Sequence, residues 1–289
     1  MGRFLYNIIN WYSQRYKFPR FGWKYFFRLL KLLKLEQKKY IGILHNGFSM
    51  FVNPTDHIQQ YIFRDKFYDK PTVLVMEKFI NPESIVMDIG ANTGYYTLIA
   101  ANKATKGMVY SFEPVSFHYS QLTENINLNK LCNVTTQNKA ISNQKGQNTI
   151  YLSSTENSGM SGLKPAENFS GKTELVNTIS LDEFVSLNNI GQIDLIKIDI
   201  EGAELNALQG MENCIKRFLP VFFIEIIKAQ LILYGHSISD VFNWMQEKGY
   251  TAYDIKKDCI ISKLTVPKEG YAILFLPPAY PLPHGISIT

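Results

Sequence analysis

Three short stretches of this 289-residue chain set glycines and charged side chains where a ligand could use them. The first is Asp88-Ile89-Gly90-Ala91-Asn92-Thr93-Gly94-Tyr95-Tyr96-Thr97, between a short apolar run and a helical pattern. Glycines at such a junction let the backbone turn tightly and let a ligand approach without a Cβ in the way. The helix that follows offers free N–H groups. Only Gly90 and Gly94 are present, so this is not the G-x-G-x-x-G dinucleotide fingerprint. An acid two residues before the first glycine would repel a pyrophosphate. It suits a ligand carrying a sulfonium and an ammonium, which favours S-adenosylmethionine over NAD. The second stretch is Ser111-Phe112-Glu113-Pro114, with Glu113 placed 25 residues after Asp88. At the end of the next strand, an acid can accept both ribose hydroxyls of a nucleoside cofactor.

The third stretch is Asp194-Leu195-Ile196-Lys197-Ile198-Asp199-Ile200-Glu201-Gly202-Ala203-Glu204. The period of an extended strand puts Lys197, Asp199 and Glu201 on one side of the chain. Charges at the carboxyl end of a buried strand need a reason, because burying them unpaired is costly. The ligand crevice of an open α/β sheet lies outside those ends, so the three are expected to face reacting groups. The plainer alternative is an ion pair that ties the turn. Glu204 reads as a helix-start acid favoured by the dipole. Asp199, Glu201 and Glu225 could together hold a divalent cation, but the pattern is too weak to expect a metal. The five histidines, His45, His57, His118, His236 and His284, read as surface or structural residues; His236 follows the strand bearing Glu225 and could reach the crevice, and it ranks below the carboxylates.

The elements needed to position these residues are legible in the pattern. Asn46-Gly47 predicts a hairpin between Ile41–Leu44 and Phe48–Val52. From residue 73 helices and strands alternate: helices over Val73–Ile80, Tyr95–Asn102, His118–Asn127, Ala203–Arg217 and Ser239–Lys248. Strands are expected over Ser84–Ile89, Met108–Phe112, Asn133–Ile141, Ile193–Ile200, Val221–Ile227, Thr251–Ile255 and Tyr271–Leu276. This alternation argues for a doubly wound, mostly parallel sheet. The last two strands lack a helix-length connection, so one of them is expected to run antiparallel. The polar stretch 153–172 reads as a lid or the tip of a hairpin.

Apolar residues make up 46% of the chain and charged residues 19%, which excludes a mainly disordered protein. No apolar run reaches the length of a membrane span. Cys132, Cys214 and Cys259 fit neither a disulfide framework nor a zinc spacing, so a reducing, cytoplasmic setting is expected. The net charge of +5 is unevenly spread: residues 1–40 carry ten Lys/Arg and one acid, and the remainder is net −4. No cleavage site follows this segment, and Tyr6 stands where a myristoylation signal wants Ser or Thr. Phe21–Leu35 predicts an amphipathic helix with Lys24, Arg28, Lys31 and Lys34 on one side. It fits either a peripheral contact with an anionic membrane or ordinary packing on the body. Residues 1–45 thus read as a basic extension and 46–289 as the catalytic domain. The acidic body and the absence of an Asn-Pro-Pro-aromatic or Asp-Pro-Pro-aromatic motif argue against a nucleic-acid substrate, despite the basic start.

Taken together, Val86 to Tyr96, Phe112-Glu113-Pro114, Thr178-Ile179-Ser180-Leu181-Asp182-Glu183-Phe184 and above all Asp194 to Glu204 resemble the FkbM-type family of S-adenosylmethionine-dependent methyltransferases. The resemblance covers about residues 50–277. It implies a seven-stranded class I methyltransferase fold, Rossmann-like, with helices on both faces of the sheet. It implies that Asp88, Gly90, Asn92 and Gly94 contact the methionine end of S-adenosyl-L-methionine and that Glu113 holds the ribose. Asn138 and Ala140 match the stretch beside the adenine. Lys197, Asp199, Glu201 and Glu225 would line the transfer region. The family's reaction implies O-methylation of a hydroxyl of a sugar, a glycan or glycolipid, or a natural product. The rival readings are a nucleic-acid methyltransferase and a non-catalytic cofactor-binding protein recruited to membranes by its N-terminal helix. One departure is Phe67-Tyr68-Asp69, where the family often has an aromatic followed by Glu.

Overall fold

The computed structural model describes residues 2–16, 22–33, 35, 38–54, 56, 58–153, 162 and 169–289. Two helices, α1 (Gly2–Arg15) and α2 (Trp23–Leu32), precede an antiparallel hairpin of β1 (Tyr40–Ile43) and β2 (Ser49–Val52). Asn46 and Gly47 form its turn, with Gly47 at φ +91°. The helices α3 (Gln59–Asp65) and α4 (Lys70–Phe79) lead to β3 (Ile85–Ile89), α5 (Tyr95–Lys103), β4 (Met108–Phe112), α6 (Ser116–Leu128) and β5 (Val134–Gln137). Next come β6 (Ala140–Ile141), β7 (Gly146–Ser153) and β8 (Phe169–Ile179), which form a small sheet in the order β6-β8-β7. The chain continues through α7 (Leu181–Leu187), β9 (Leu195–Ile198), α8 (Glu204–Gln209), α9 (Glu212–Phe218), β10 (Val221–Ile226), α10 (Lys228–Leu233) and α11 (Ile238–Glu247). It ends with β11 (Thr251–Ile255), β12 (Ile260–Lys263), β13 (Gly270–Leu276) and β14 (Ser287–Ile288).

The large sheet has the order β14-β12-β11-β13-β10-β9-β3-β4-β5. Strands β5, β4, β3, β9 and β10 are parallel, and β13 is inserted antiparallel between β10 and β11. The mostly parallel sheet with helices on both faces is as expected, but the expected count of seven strands is not what the sheet shows. The sheet carries nine in all, because β12 and the short β14 extend its edge. Buried strands here are near-continuous apolar runs such as Val221-Phe222-Phe223-Ile224, since helices cover both faces. Met87, Ile196, Phe222 and Leu208 belong to the core on one side. Val86, Leu195, Phe223 and Leu98 belong to the core on the other, with the hairpin and Leu30 of α2.

The chain runs outward from β3 to β4 and β5, then returns to place β9 on the opposite side of β3. This reversal is a topological switch point, where open α/β sheets bind ligands. Local capping fixes the helices around it. Ser180 Oγ accepts from Glu183 N at 3.1 Å to start α7. Ser237 and Asp240 form a reciprocal capping box at α11. The single helix expected over Ala203–Arg217 is two, α8 and α9. The break falls at Gly210, where a Cβ would stand 2.0 Å from Ser142 O, and Asp182 caps the second piece by accepting from Asn213 N and Cys214 N at 3.0 and 2.8 Å. The helix expected over Phe21–Leu35 is the shorter α2. The side chains of Lys24, Lys31 and Lys34, together with His57 and most of the 153–172 loop, lie outside the described residues.

Candidate active site

A cavity of about 620 Å³ opens at the switch point, a size suited to a drug-sized ligand. Gly90, Asn92, Glu113 and Ala140 line one part of it, and Lys197, Asp199, Glu201 and Glu225 line another. The ends of β3 and β9 are stitched together here: Asp199 N donates to Ile89 O at 3.0 Å. Gly90 sits at φ +84°, and a Cβ on it would stand 1.8 Å from Asp199 O. The space freed by this glycine is therefore filled by the end of β9. Gly94, at φ +95°, makes room in the same way for Leu122 of α6 and does not line the cavity.

Two further expected cofactor residues stand behind the wall. Asp88 is 2% exposed and accepts from Thr97 Oγ1 at 2.6 Å, leaving its other oxygen buried with no hydrogen-bond partner. Burial raises its pKa, opposed by Lys197 and the Thr97 hydrogen bond. Asn138 donates to the carbonyls of Glu113 and Pro114, both at 2.9 Å, so it holds the turn after β4. That turn aims Glu113 into the cavity. Glu113 accepts from Asn92 N at 2.8 Å and Val115 N at 2.9 Å, and burial still pushes its pKa up to about 7.

The charged cluster is built around one cation. Lys197, with its side chain 8% exposed, donates to Asp199 Oδ2 at 2.9 Å and stands 4.4 Å from the centroid of the Tyr96 ring. Burial pulls its pKa down, but Asp199, Asp88 and Glu225 outweigh that and raise it. Glu201 reaches the site by a route that strand alternation does not describe. The strand β9 stops at Ile198, and Glu201 has a left-handed backbone at φ +59°. Gly202 follows at φ +105° because a Cβ there would stand 2.5 Å from Gln230 O. Gln230 Nε2 donates to Glu201 Oε2. Glu204 braces the loop from beneath, accepting from Gly202 N at 3.1 Å and Ile200 N at 3.3 Å, with burial raising its pKa to about 7. It is thus a buried loop brace as well as the first residue of α8.

Glu201 and Glu225 both have pKa values well above the usual range, through burial first and then repulsion from neighbouring carboxylates, Asp199 foremost. One oxygen each from Asp199, Glu201 and Glu225 lie within 4.8 Å of one another, close enough for a divalent cation to bridge, although the Lys197 ammonium already neutralises Asp199. A wall of aromatic rings completes the cavity: Tyr61, Phe67, Tyr68, Tyr95, Tyr96 and Tyr271. Their contribution is not legible from local pattern, because they come from four separate elements and loops. Asp69 lines the cavity and accepts from Tyr96 Oη at 3.4 Å. His236 does not line it and is paired with Asn206 Oδ1 at 3.0 Å, while His45 is paired with Glu77.

The sequence profile of the Methyltransferase FkbM domain matches residues 88–252, from the first glycine motif to β11. The chain belongs to the FkbM methyltransferase family. Methyltransferase 1 of Beauveria bassiana is 24% identical over 59% of this chain and 74% of its own length. The hexuronic acid methyltransferase AglP of Haloferax volcanii is 25% identical over 53% of this chain and 60% of its own. The 31-O-demethyl-FK506 methyltransferase FkbM of Streptomyces tacrolimicus is also 25% identical, over 53% and 69%. Within the family-matched region lie the eight expected cofactor and transfer residues that line the cavity, from Gly90 to Glu225, while Phe67, Tyr68 and Asp69 line it from outside that region.

Proposed function

We propose that the protein is an S-adenosylmethionine-dependent O-methyltransferase whose acceptor is a hydroxyl of a sugar, glycan or other small cyclic molecule. The observation that carries this reading is the partition of one cavity. Glu113 and the Gly90–Asn92 turn stand at its β3–β4 part, while Asp199, Glu201 and Glu225 stand at its β9–β10 part with Tyr68 and Tyr96 beside them. The residues fit the cofactor on charge. Among the described residues around the cavity, Asp88, Glu113, Asp199, Glu201 and Glu225 give an excess of acidic groups over one buried cation, Lys197, and after burial it is the Asp199 charge that most raises the pKa values of Glu201 and Glu225. A ligand carrying a sulfonium and an ammonium relieves that excess. Glu113 would hold its ribose and the Gly90–Asn92 backbone its methionine end. When bound, S-adenosylmethionine supplies an electrophilic methyl group.

The chain's own residues then orient the acceptor and move one proton. Lys197 holds the Asp199 carboxylate in place, so Asp199 can accept a hydrogen bond from an acceptor hydroxyl without swinging. Glu201 is the better general base, because burial and the neighbouring Asp199 raise its proton affinity above that of an ordinary carboxylate. Gln230 fixes its carboxylate. Tyr61, Tyr68, Tyr96 and Tyr271 offer ring faces on which a sugar or macrocycle can lie, and they exclude water from the transfer region. AglP, a hexuronic acid methyltransferase, and FkbM, a 31-O-demethyl-FK506 methyltransferase, suggest the same acceptor classes. The test is single-turnover transfer from labelled S-adenosylmethionine to a panel of free sugars, glycosides and polyols. With an accepted substrate, Asp199→Asn and Glu201→Gln should each lower the transfer rate by about 10²–10⁴-fold with cofactor affinity retained. Wild-type rates in both variants would remove these carboxylates from the mechanism.

A further inference from the structure

The two N-terminal helices each turn an apolar stripe away from the protein. On α1, Phe4, Ile8 and Trp11 are 71%, 44% and 49% exposed. On α2, Tyr25, Leu29 and Leu32 are 70%, 43% and 80% exposed. Both sets follow the spacing i, i+4, i+7, which is one face of a helix. The opposite faces are already in use. Ile9 and Ser13 of α1 are buried, Ser13 Oγ donates to Ile41 O at 2.9 Å, and Asn10 Oδ1 accepts from Ile41 N at 2.8 Å. Leu30 of α2 is fully buried in the core. Phe4, Tyr25 and Leu32, the most open of the outward residues, therefore contribute little to holding the helices in place, and a cluster of exposed large apolar side chains marks an interaction surface.

Charge identifies the partner. Residues 1–40 carry +9 against −4 for the rest of the chain. Arg15 and Arg28 lie on the same outward faces, with the Arg15 guanidinium 4.9 Å from the centroid of Trp11. A second copy of the chain would set one strongly basic surface against another. A nucleic acid would leave the aliphatic members Ile8, Leu29 and Leu32 without a counterpart. We propose that α1 and α2 form a docking platform for an anionic lipid surface: the apolar stripes enter the headgroup boundary and the basic side chains meet lipid phosphates. Trp and Tyr flanked by Arg suit that boundary, since each has an apolar body and a polar edge. No helix among the described residues is long and apolar enough to cross a membrane, and a surface-lying pair needs none. The proposal goes beyond methyl transfer and does not rest on it.

The test is cosedimentation of the full chain with vesicles of phosphatidylcholine alone or mixed with phosphatidylglycerol. The protein should bind the mixed vesicles about tenfold or more tightly than the neutral ones, and added salt should weaken binding. The triple substitution Phe4→Gln, Trp11→Gln, Leu32→Gln and the double substitution Arg15→Glu, Arg28→Glu should each lower that binding about tenfold or more, with the thermal melt of the body unchanged. Leu32→Gln alone, at the most exposed position, serves if the triple variant fails to fold, and should lower binding measurably. Absence of binding by the wild type, equal binding to neutral vesicles, or apolar variants that bind like wild type would each overturn the proposal. So would a wild-type dimer that the apolar substitutions dissociate.

Discussion

Replacing Lys197 by Met tests the organisation of the charged cluster more sharply than any other single change. The methyl-capped stem fills most of the same space and removes only the charge and its hydrogen bonds. Across 2.9 Å, the Lys197–Asp199 attraction is about 6 kcal/mol at an effective dielectric near 20. The desolvation of a side chain 8% exposed offsets several kcal/mol of that, so the pair itself contributes little. The variant loses more than the pair's net worth, because Asp199, Asp88 and Glu225 then face one another without a cation. Breaking a buried pair in this way costs about 3–5 kcal/mol. Asp199 is one-third open to solvent, which places the expected loss near the lower end, about 3 kcal/mol. The pH dependence carries the sign. The folded-state pKa of Lys197 is raised, so its stabilisation is fully present below its unfolded value of 10.5 and is lost only at higher pH. In the variant, the uncompensated carboxylates instead take up a proton. The gap to wild type should therefore be largest near pH 8 and shrink toward pH 5. Urea denaturation at several pH values measures it. A gap under about 0.5 kcal/mol at pH 7, or one that widens on acidification, would refute the reasoning.

Three other substitutions follow from the same geometry. Gly90→Ala forces a Cβ to within 1.8 Å of Asp199 O at a positive φ, and should cost about 2–5 kcal/mol in a thermal or chemical melt. Gly191→Ala, with open space around it, should change stability by less than about 0.5 kcal/mol. Burial raises the Glu113 carboxyl from 4.5 to about 7, so the folded protein holds a proton that the unfolded chain has released. Stability from this group therefore falls as pH rises from about 4.5 to about 7 and is flat above. Glu113→Gln should gain on wild type across that window in the ligand-free protein, and a difference independent of pH would show that Glu113 is not raised.

The large sheet was legible because its strands are continuous apolar runs and its long helices have clear periodicity. The short helices α3, α7 and α10 were not, at 7, 7 and 6 residues, because so few turns give no period to read. The strand β12 was missed next to the left-handed Asp258 and Cys259. At the site, the carboxyl-end charges stood out because charge on an apolar strand is conspicuous. Their geometry did not: alternation fails at Glu201, which turns left-handed after the strand has ended. The motif glycines were read as room for a ligand, whereas at Gly90 and Gly94 neighbouring elements fill that room. Asp88 and Asn138 lie in the right stretches but support the wall from behind, a distinction that only side-chain direction reveals. The aromatic wall is a purely tertiary feature, gathered from residues 61 to 271.

Calorimetric titration of S-adenosylmethionine into the wild type and into Glu113→Ala tests the central claim most directly. The account predicts one site per chain and a loss of about 1.5–3 kcal/mol in the variant, roughly 10- to 150-fold in Kd, because a charge-assisted contact to the ribose is removed. NAD should give no comparable heat. Absence of S-adenosylmethionine binding by the wild type, or equal affinity in Glu113→Ala, would contradict the placement of the cofactor beside Glu113.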